Sequence, residues 1–124
     1  MFQTTYLAGG RLDAPFYPTR STPYIKGDAM YSTAANVDTL EYTLPTDMEF
    51  HAISVSSSIY EIDDKWSLIV NGTTICEDIY TKDLPEGISL MSYMQLAAGS
   101  KIVFQFHNQG ILDKQVWIAL QFLK

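Results

Sequence analysis

Trp66-Ser67-Leu68-Ile69-Val70-Asn71-Gly72-Thr73-Thr74-Ile75 is the segment from which the architecture follows. Trp66, Leu68 and Val70 recur at every second position, the period of a strand with one buried face. Asn71-Gly72 then supplies a dipeptide that readily takes the positive φ values of a tight hairpin turn. Ile75 and Ile79 carry the apolar row onto the return strand. Two antiparallel strands joined by a two-residue turn are therefore expected here.

The same period runs outward in both directions. Leu40, Tyr42 and Leu44 fall on one side of the segment from Asp38 to Leu44. Between Met48 and Tyr60 the apolar phase changes near Ala52: Met48, Phe50 and Ala52 share one face, and Ile53, Val55 and Ile59 the other. That change predicts a β-bulge or a strand that switches sheets. Asp83-Leu84-Pro85-Glu86-Gly87 has the chemistry of a turn. Ile88, Leu90, Met94 and Leu96 alternate after it, then Ile102, Phe104 and Phe106. The last strand places Val116, Ile118, Leu120 and Phe122 on one face and Gln115, Trp117, Ala119, Gln121 and Leu123 on the other. Met91 to Ala98 contains good helix formers but fits alternation better. Seven or eight strands without a helix predict an all-β fold: an antiparallel two-sheet β-sandwich, a jelly roll or related Greek key.

The first 26 residues differ. They hold Gly9-Gly10, Pro15, Pro18 and Pro23 among Phe2, Tyr6, Phe16, Tyr17 and Tyr24, with neither helical nor strand period. Proline fixes φ and removes a backbone donor, so residues 1–26 are expected to form an extended arm and residues 27–124 the sandwich. An arm this aromatic favours a surface to lie on, either its own sandwich or a neighbour. Phe2, Tyr6, Leu7, Phe16, Tyr17 and Tyr24 are the expected subunit or partner contacts. Trp117, on the outward side of its strand, is the expected receiving surface.

Composition narrows the function. A chain of 124 residues fits one domain, and 47% hydrophobic against 18% charged residues suffices for a core. Eight basic and fourteen acidic side chains give a net charge of -6, which repels phosphate backbones and argues against nucleic acid. The single cysteine, Cys76, rules out an intrachain disulfide. No basic stretch followed by an apolar run opens the chain, so no signal peptide is expected and synthesis is placed in a host cytoplasm. The apolar run from Val116 to Leu123 is too short to cross a bilayer as a helix, so no membrane insertion is expected.

Candidate chemistry is sparse. Cys76 with His107 or His51 would be a nucleophile–base pair, but adjacent acids raise a thiol pKa, and a small core hydrophobe fits better. Glu61 with Asp63-Asp64, and Glu77-Asp78 with Asp83, are acidic clusters of a kind that can hold calcium, although solvated loops are the commoner origin. Asn71-Gly72-Thr73 matches a glycosylation acceptor, and the hairpin explains it fully. No triad, metal-ligand spacing or phosphate loop emerges, so the expectation is a non-enzyme with no catalytic residue, metal or cofactor. Tyr60, Tyr80 and Tyr93 fall near strand ends or outward positions and are the candidate glycan contacts.

Trp66-x-Leu68-x-Val70-Asn71-Gly72 and Ala98-Gly99-Ser100-x-Ile102-x-Phe104-x-Phe106-x-Asn108 resemble the hairpin and late strands of small jelly-roll modules in tailed-bacteriophage virions. Such modules serve as head decoration, head-fibre or tail-associated proteins. The segments are also similar to non-catalytic carbohydrate-binding jelly rolls. The resemblance implies a structural virion protein fastened to capsid or tail neighbours through its arm, located in the virion and forming a homo-oligomer. The alternative it implies is a module recognising host-surface glycan.

Overall fold

Side-chain alternation becomes ten strands, with no helix among the described residues. The computed structural model describes residues 18–82 and 84–124 in full, and Tyr6–Leu7 and Gly10–Arg11 by their backbone. Strands β1 (Tyr6–Leu7) and β2 (Gly10–Arg11) pair antiparallel with each other. Eight longer strands follow: β3 (Pro23–Ser32), β4 (Val37–Thr43), β5 (Met48–Ser57), β6 (Lys65–Val70), β7 (Thr73–Tyr80), β8 (Glu86–Leu96), β9 (Lys101–His107) and β10 (Lys114–Leu123). They form two antiparallel four-stranded sheets, ordered β3-β10-β5-β8 and β4-β9-β6-β7. The first of the eight pairs with the last, the second with the seventh, the third with the sixth and the fourth with the fifth. That nested folding-back is the jelly-roll topology.

The innermost hairpin is the one expected. Asn71 and Gly72 have φ of 49° and 82°, both positive, as a two-residue turn matching strand twist requires. The Asn71 side chain accepts from the Lys101 amide at 2.9 Å and donates to Ser100 Oγ at 3.2 Å. This ties the turn to the start of β9.

The phase change in β5 is a bulge. Pairing with β8 slips between Phe50 and Ala52, and pairing with β10 slips between Gln121 and Phe122. The bulge lets Met48 and Phe50 on one side of it, and Ile53 and Val55 on the other, all be buried in one core. A β-bulge adds one residue to one strand of a pair, so β5 stays in one sheet instead of switching.

Between the sheets, Tyr42 of β4 meets Phe122 of β10 at a ring-centroid distance of 6.0 Å. Phe50 lies 5.2 Å from the same ring, and Trp66 packs 5.6 Å from Phe104.

The arm boundary shifts. Tyr24, Lys26 and their neighbours pair with β10 from Pro23 onward, Tyr24 opposite Phe122. Residues 23–26, expected in the arm, therefore belong to the first sandwich strand. Pro23 is tolerated because β3 is an edge strand and the proline is its first residue. Thr22 and Lys124 extend the β3–β10 pairing by one step through reciprocal backbone bonds of 3.2 and 2.7 Å.

Candidate functional site

The sandwich has two unlike ends. At one end lie the β4–β5, β6–β7 and β8–β9 turns. At the other, the loops β3–β4, β5–β6, β7–β8 and β9–β10 converge, because strand direction alternates along the chain. This second end is held by a buried ion cluster. Lys114, the first residue of β10, has a fully buried side chain, and its Nζ bonds Glu61 Oε1 at 2.7 Å and the carboxylate of Asp64. Asp64 Oδ1 also accepts from the Gln109 amide at 2.9 Å, and its backbone carbonyl accepts from the Thr81 amide at 3.1 Å. Gly110 leaves room for the Glu61 carboxylate, since a Cβ there would lie 1.8 Å from Oε1. Three loops are thereby fastened to one another.

The electrostatics follow from this geometry. The Lys114 hydrogen bond, against opposing burial, holds the Glu61 carboxyl below its ordinary value. Burial favours neutral Lys114, but its bonds to Asp64 and Glu61 outweigh burial and raise its pKa. Glu61 and Asp64, read from sequence as part of an acidic cluster suited to calcium, instead neutralise a buried lysine. No group of three or more metal-ligating side chains occurs among the described residues.

Above this rigid base the loop tips are apolar. Ile62 is 82% exposed and Ile111 87%, with Ile59, Leu84 and Leu112 also exposed. Tyr31, Val37 and Tyr80 are exposed at the adjoining strand ends. Trp117, 44% exposed, stands on the outer face of β10 between Ala29 and Ser56. It lines a shallow groove of about 300 Å³ with Ser54, Ser56, Pro85 and Gly87. Pro85 and the exposed Leu84 beside it place that groove next to the apolar end.

At the opposite end a second buried carboxylate fixes where the N-terminal segment meets the sandwich. Glu49 is fully buried. It accepts the Thr19 amide at 3.0 and 3.1 Å, the Thr19 hydroxyl at 2.7 Å and the Arg20 amide at 3.0 Å. Burial opposes its ionisation, but the bonds from Thr19 and Arg20 and the Arg20 charge outweigh burial and hold the carboxyl below its ordinary value. A folded-state value below the unfolded one means stability present at neutral pH that is lost as pH falls through the depressed value. Glu49→Gln should cost about 1–2 kcal/mol in urea denaturation at neutral pH. It should also flatten the acid limb of a melting-temperature profile. Wild-type behaviour on both counts would show that the clamp contributes nothing.

The expected site residues are distributed as follows. Phe2, Phe16 and Tyr17 lie outside the described residues, and of Tyr6 and Leu7 only the pairing of β1 with β2 is described. Tyr24 packs against its own sandwich, 6.2 Å from Phe122, with Lys124 Nζ 4.5 Å above its ring. Tyr60 follows β5, where its hydroxyl accepts the Ser57 amide at 3.0 Å. Tyr80 ends β7 with Lys65 Nζ 6.0 Å from its ring. Tyr93 lies on β8, 5.3 Å from His51. Tyr60 and Tyr80 thus share the loop end, and Tyr93 is on a different part of the surface.

Cys76 is buried on β7 opposite Leu68, and burial pushes its thiol up, away from the nucleophilic thiolate. His107 ends β9 and His51 lies in the other sheet. No helix among the described residues is long and apolar enough to cross a membrane. The two buried carboxylate clusters and the apolar tips escape sequence reasoning, because their members are up to 53 residues apart. The one available hint is the run of apolar residues in loops, Ile62, Leu84 and Ile111-Leu112.

Strand order and a closed, polar-stapled loop end define a jelly-roll module. The chain belongs to the family described as Domain of unknown function (DUF8551), whose model matches residues 20–124. No curated protein matches it in sequence.

Among solved structures, it is similar to a chain of the cyanophage Pam1 capsid asymmetric unit, with a TM-score of 0.58 and 14% identity over 96% of each chain. Infectious bursal disease virus, Gx strain, matches at TM-score 0.42 and 11% identity, over 98% of this chain and 35% of the other. A calcium- and xylotriose-bound carbohydrate-binding module, CBM36, matches at TM-score 0.41 and 13% identity, over 86% and 94%. At these identities the likeness is one of fold.

Proposed function

We propose that this chain is a non-enzymatic structural component of a virus particle, a jelly-roll module fastened to capsid or tail neighbours through its N-terminal arm. The observation that carries this reading is the Glu49 clamp. A buried carboxylate spends its hydrogen bonds on Thr19 and Arg20, which anchors the base of an aromatic segment to a rigid scaffold. Such anchoring limits the freedom an arm loses when it docks. The apolar loop end supplies further surface for subunit contact, in keeping with a homo-oligomer inside a larger assembly. The fold is also similar to that of a capsid chain over 96% of that chain's length.

Mass spectrometry of purified particles from the source virus is the test. Stoichiometric recovery of the chain is expected, and its absence from particles overturns the reading. The alternative, recognition of host-surface glycan, draws on the exposed Tyr80 ring at the loop end. Glycan-array binding that vanishes in Tyr80→Ala, with the fold intact, would favour it.

A further inference from the structure

The base of the N-terminal segment and the apolar loop tips lie at opposite ends of the sandwich. Glu49 is the second residue of β5 and pairs with Leu123, whereas Ser57 ends β5 beside Val116, next to the loops. The eight residue steps from one to the other span roughly 25–30 Å at strand rise, and the tips project beyond. The β1–β2 hairpin ends at Arg11, and residues 12–17 join it to Pro18. The seven steps from Arg11 to Pro18 reach at most about 25 Å. A chain's own hairpin therefore reaches its own loop tips only with the tether stretched to its limit, where effective concentration collapses. A neighbour stacked head to tail brings its loop end directly to the clamp.

The chemistry matches that placement. Ile62 and Ile111 stand exposed on loops that Lys114 holds together. Residues 1–17 bring Phe2, Tyr6 and Leu7, and their Arg11 and Asp13 cancel in formal charge. Asp63 and Asp113 are exposed among the tips, so two loop ends meeting face to face would oppose like charges. Arg11 would instead complement them. Resting on the arm as a fastening device, we infer that the N-terminal hairpin of one copy docks on the apolar loop end of the next. The contact is heterologous, so it propagates until a ring closes or a column forms.

Sedimentation velocity and native mass spectrometry on the full chain test this. Two double variants each remove one half of the contact: Ile62→Ser with Ile111→Ser, and Tyr6→Ser with Leu7→Ser. Circular dichroism and urea midpoints establish that both stay folded. Wild type should self-associate, and each variant alone should do so about thirtyfold more weakly or worse. An equimolar mixture should recover a single contact and stop at a heterodimer, since one partner keeps its arm and the other its loop end. A monomeric wild type, an arm variant that associates normally, or a mixture that stays monomeric overturns the inference. Monomeric protein that is nevertheless found in particles refutes head-to-tail docking while leaving the virion role standing. Head-to-tail oligomers absent from particles do the reverse.

Discussion

Lys114→Met should destabilise the protein by about 3–5 kcal/mol in urea denaturation at neutral pH. The Lys114 side chain is fully buried and that of Asp64 is 1% exposed. Removing the ammonium strands the Asp64 carboxylate in the interior, where the Gln109 amide is its remaining hydrogen-bond donor among the described residues. Methionine fills most of the lysine volume, so little of the loss comes from a cavity.

The pH dependence follows with its sign. The depressed Glu61 carboxyl contributes stability above the ordinary carboxylate range, and that contribution is lost as pH falls through its lowered value. Lys114, raised, contributes below its ordinary value and loses that contribution as pH rises through the raised one. Wild type should therefore lose stability in acid more steeply than the variant, and the gap between them should narrow as pH falls through the lowered Glu61 value. Adding Asp64→Asn to Lys114→Met should recover about 1 kcal/mol or more, because the fully buried carboxylate is then neutral and the remaining one, Glu61, is partly exposed to water. A loss below 1 kcal/mol at neutral pH would mean the loop end relaxes and lets water reach the carboxylate.

Phe104→Ala is the second large effect, about 3–5 kcal/mol. Phe104 is fully buried in β9, between Leu40 of β4 and Leu68 of β6. Its ring packs against Trp66 and Phe106, at 5.6 and 6.4 Å. Paired strands on both sides hold the backbone, so the site cannot collapse into the void, and the cavity term adds to the lost transfer energy. Trp66 shares this contact, so Trp66→Ala combined with Phe104→Ala should cost less than the sum of the two. Thermal or urea unfolding of the single and double variants measures both. A Phe104→Ala loss under 2 kcal/mol would show that the inner layers repack.

Much of the sandwich is legible in single segments. Ile102, Phe104 and Phe106 announce their inward row, and Asn71-Gly72 announces its turn through a φ preference local to two residues. The slip near Ala52 is visible because one inserted residue reverses the apolar phase. The arm boundary is less legible: Pro23 reads as a strand breaker, yet its missing donor costs nothing at the start of an edge strand. The candidate site was harder still. Tyr24 reads as an arm contact but packs on Phe122, a partner 98 positions away that only the β3–β10 pairing supplies.

What the amino-acid order determined alone is the run of strands from β4 onward, most of their buried faces and the tightest turn, since alternation and φ preference act between near neighbours. Tertiary structure alone decided that Lys114 meets Glu61 and Asp64, that Glu49 holds Thr19 and Arg20, and that four loops pool their apolar residues at one end. Those contacts depend on nested antiparallel pairing of the first strand with the last. Burial then chooses charge partners by proximity in space, whatever their separation along the chain.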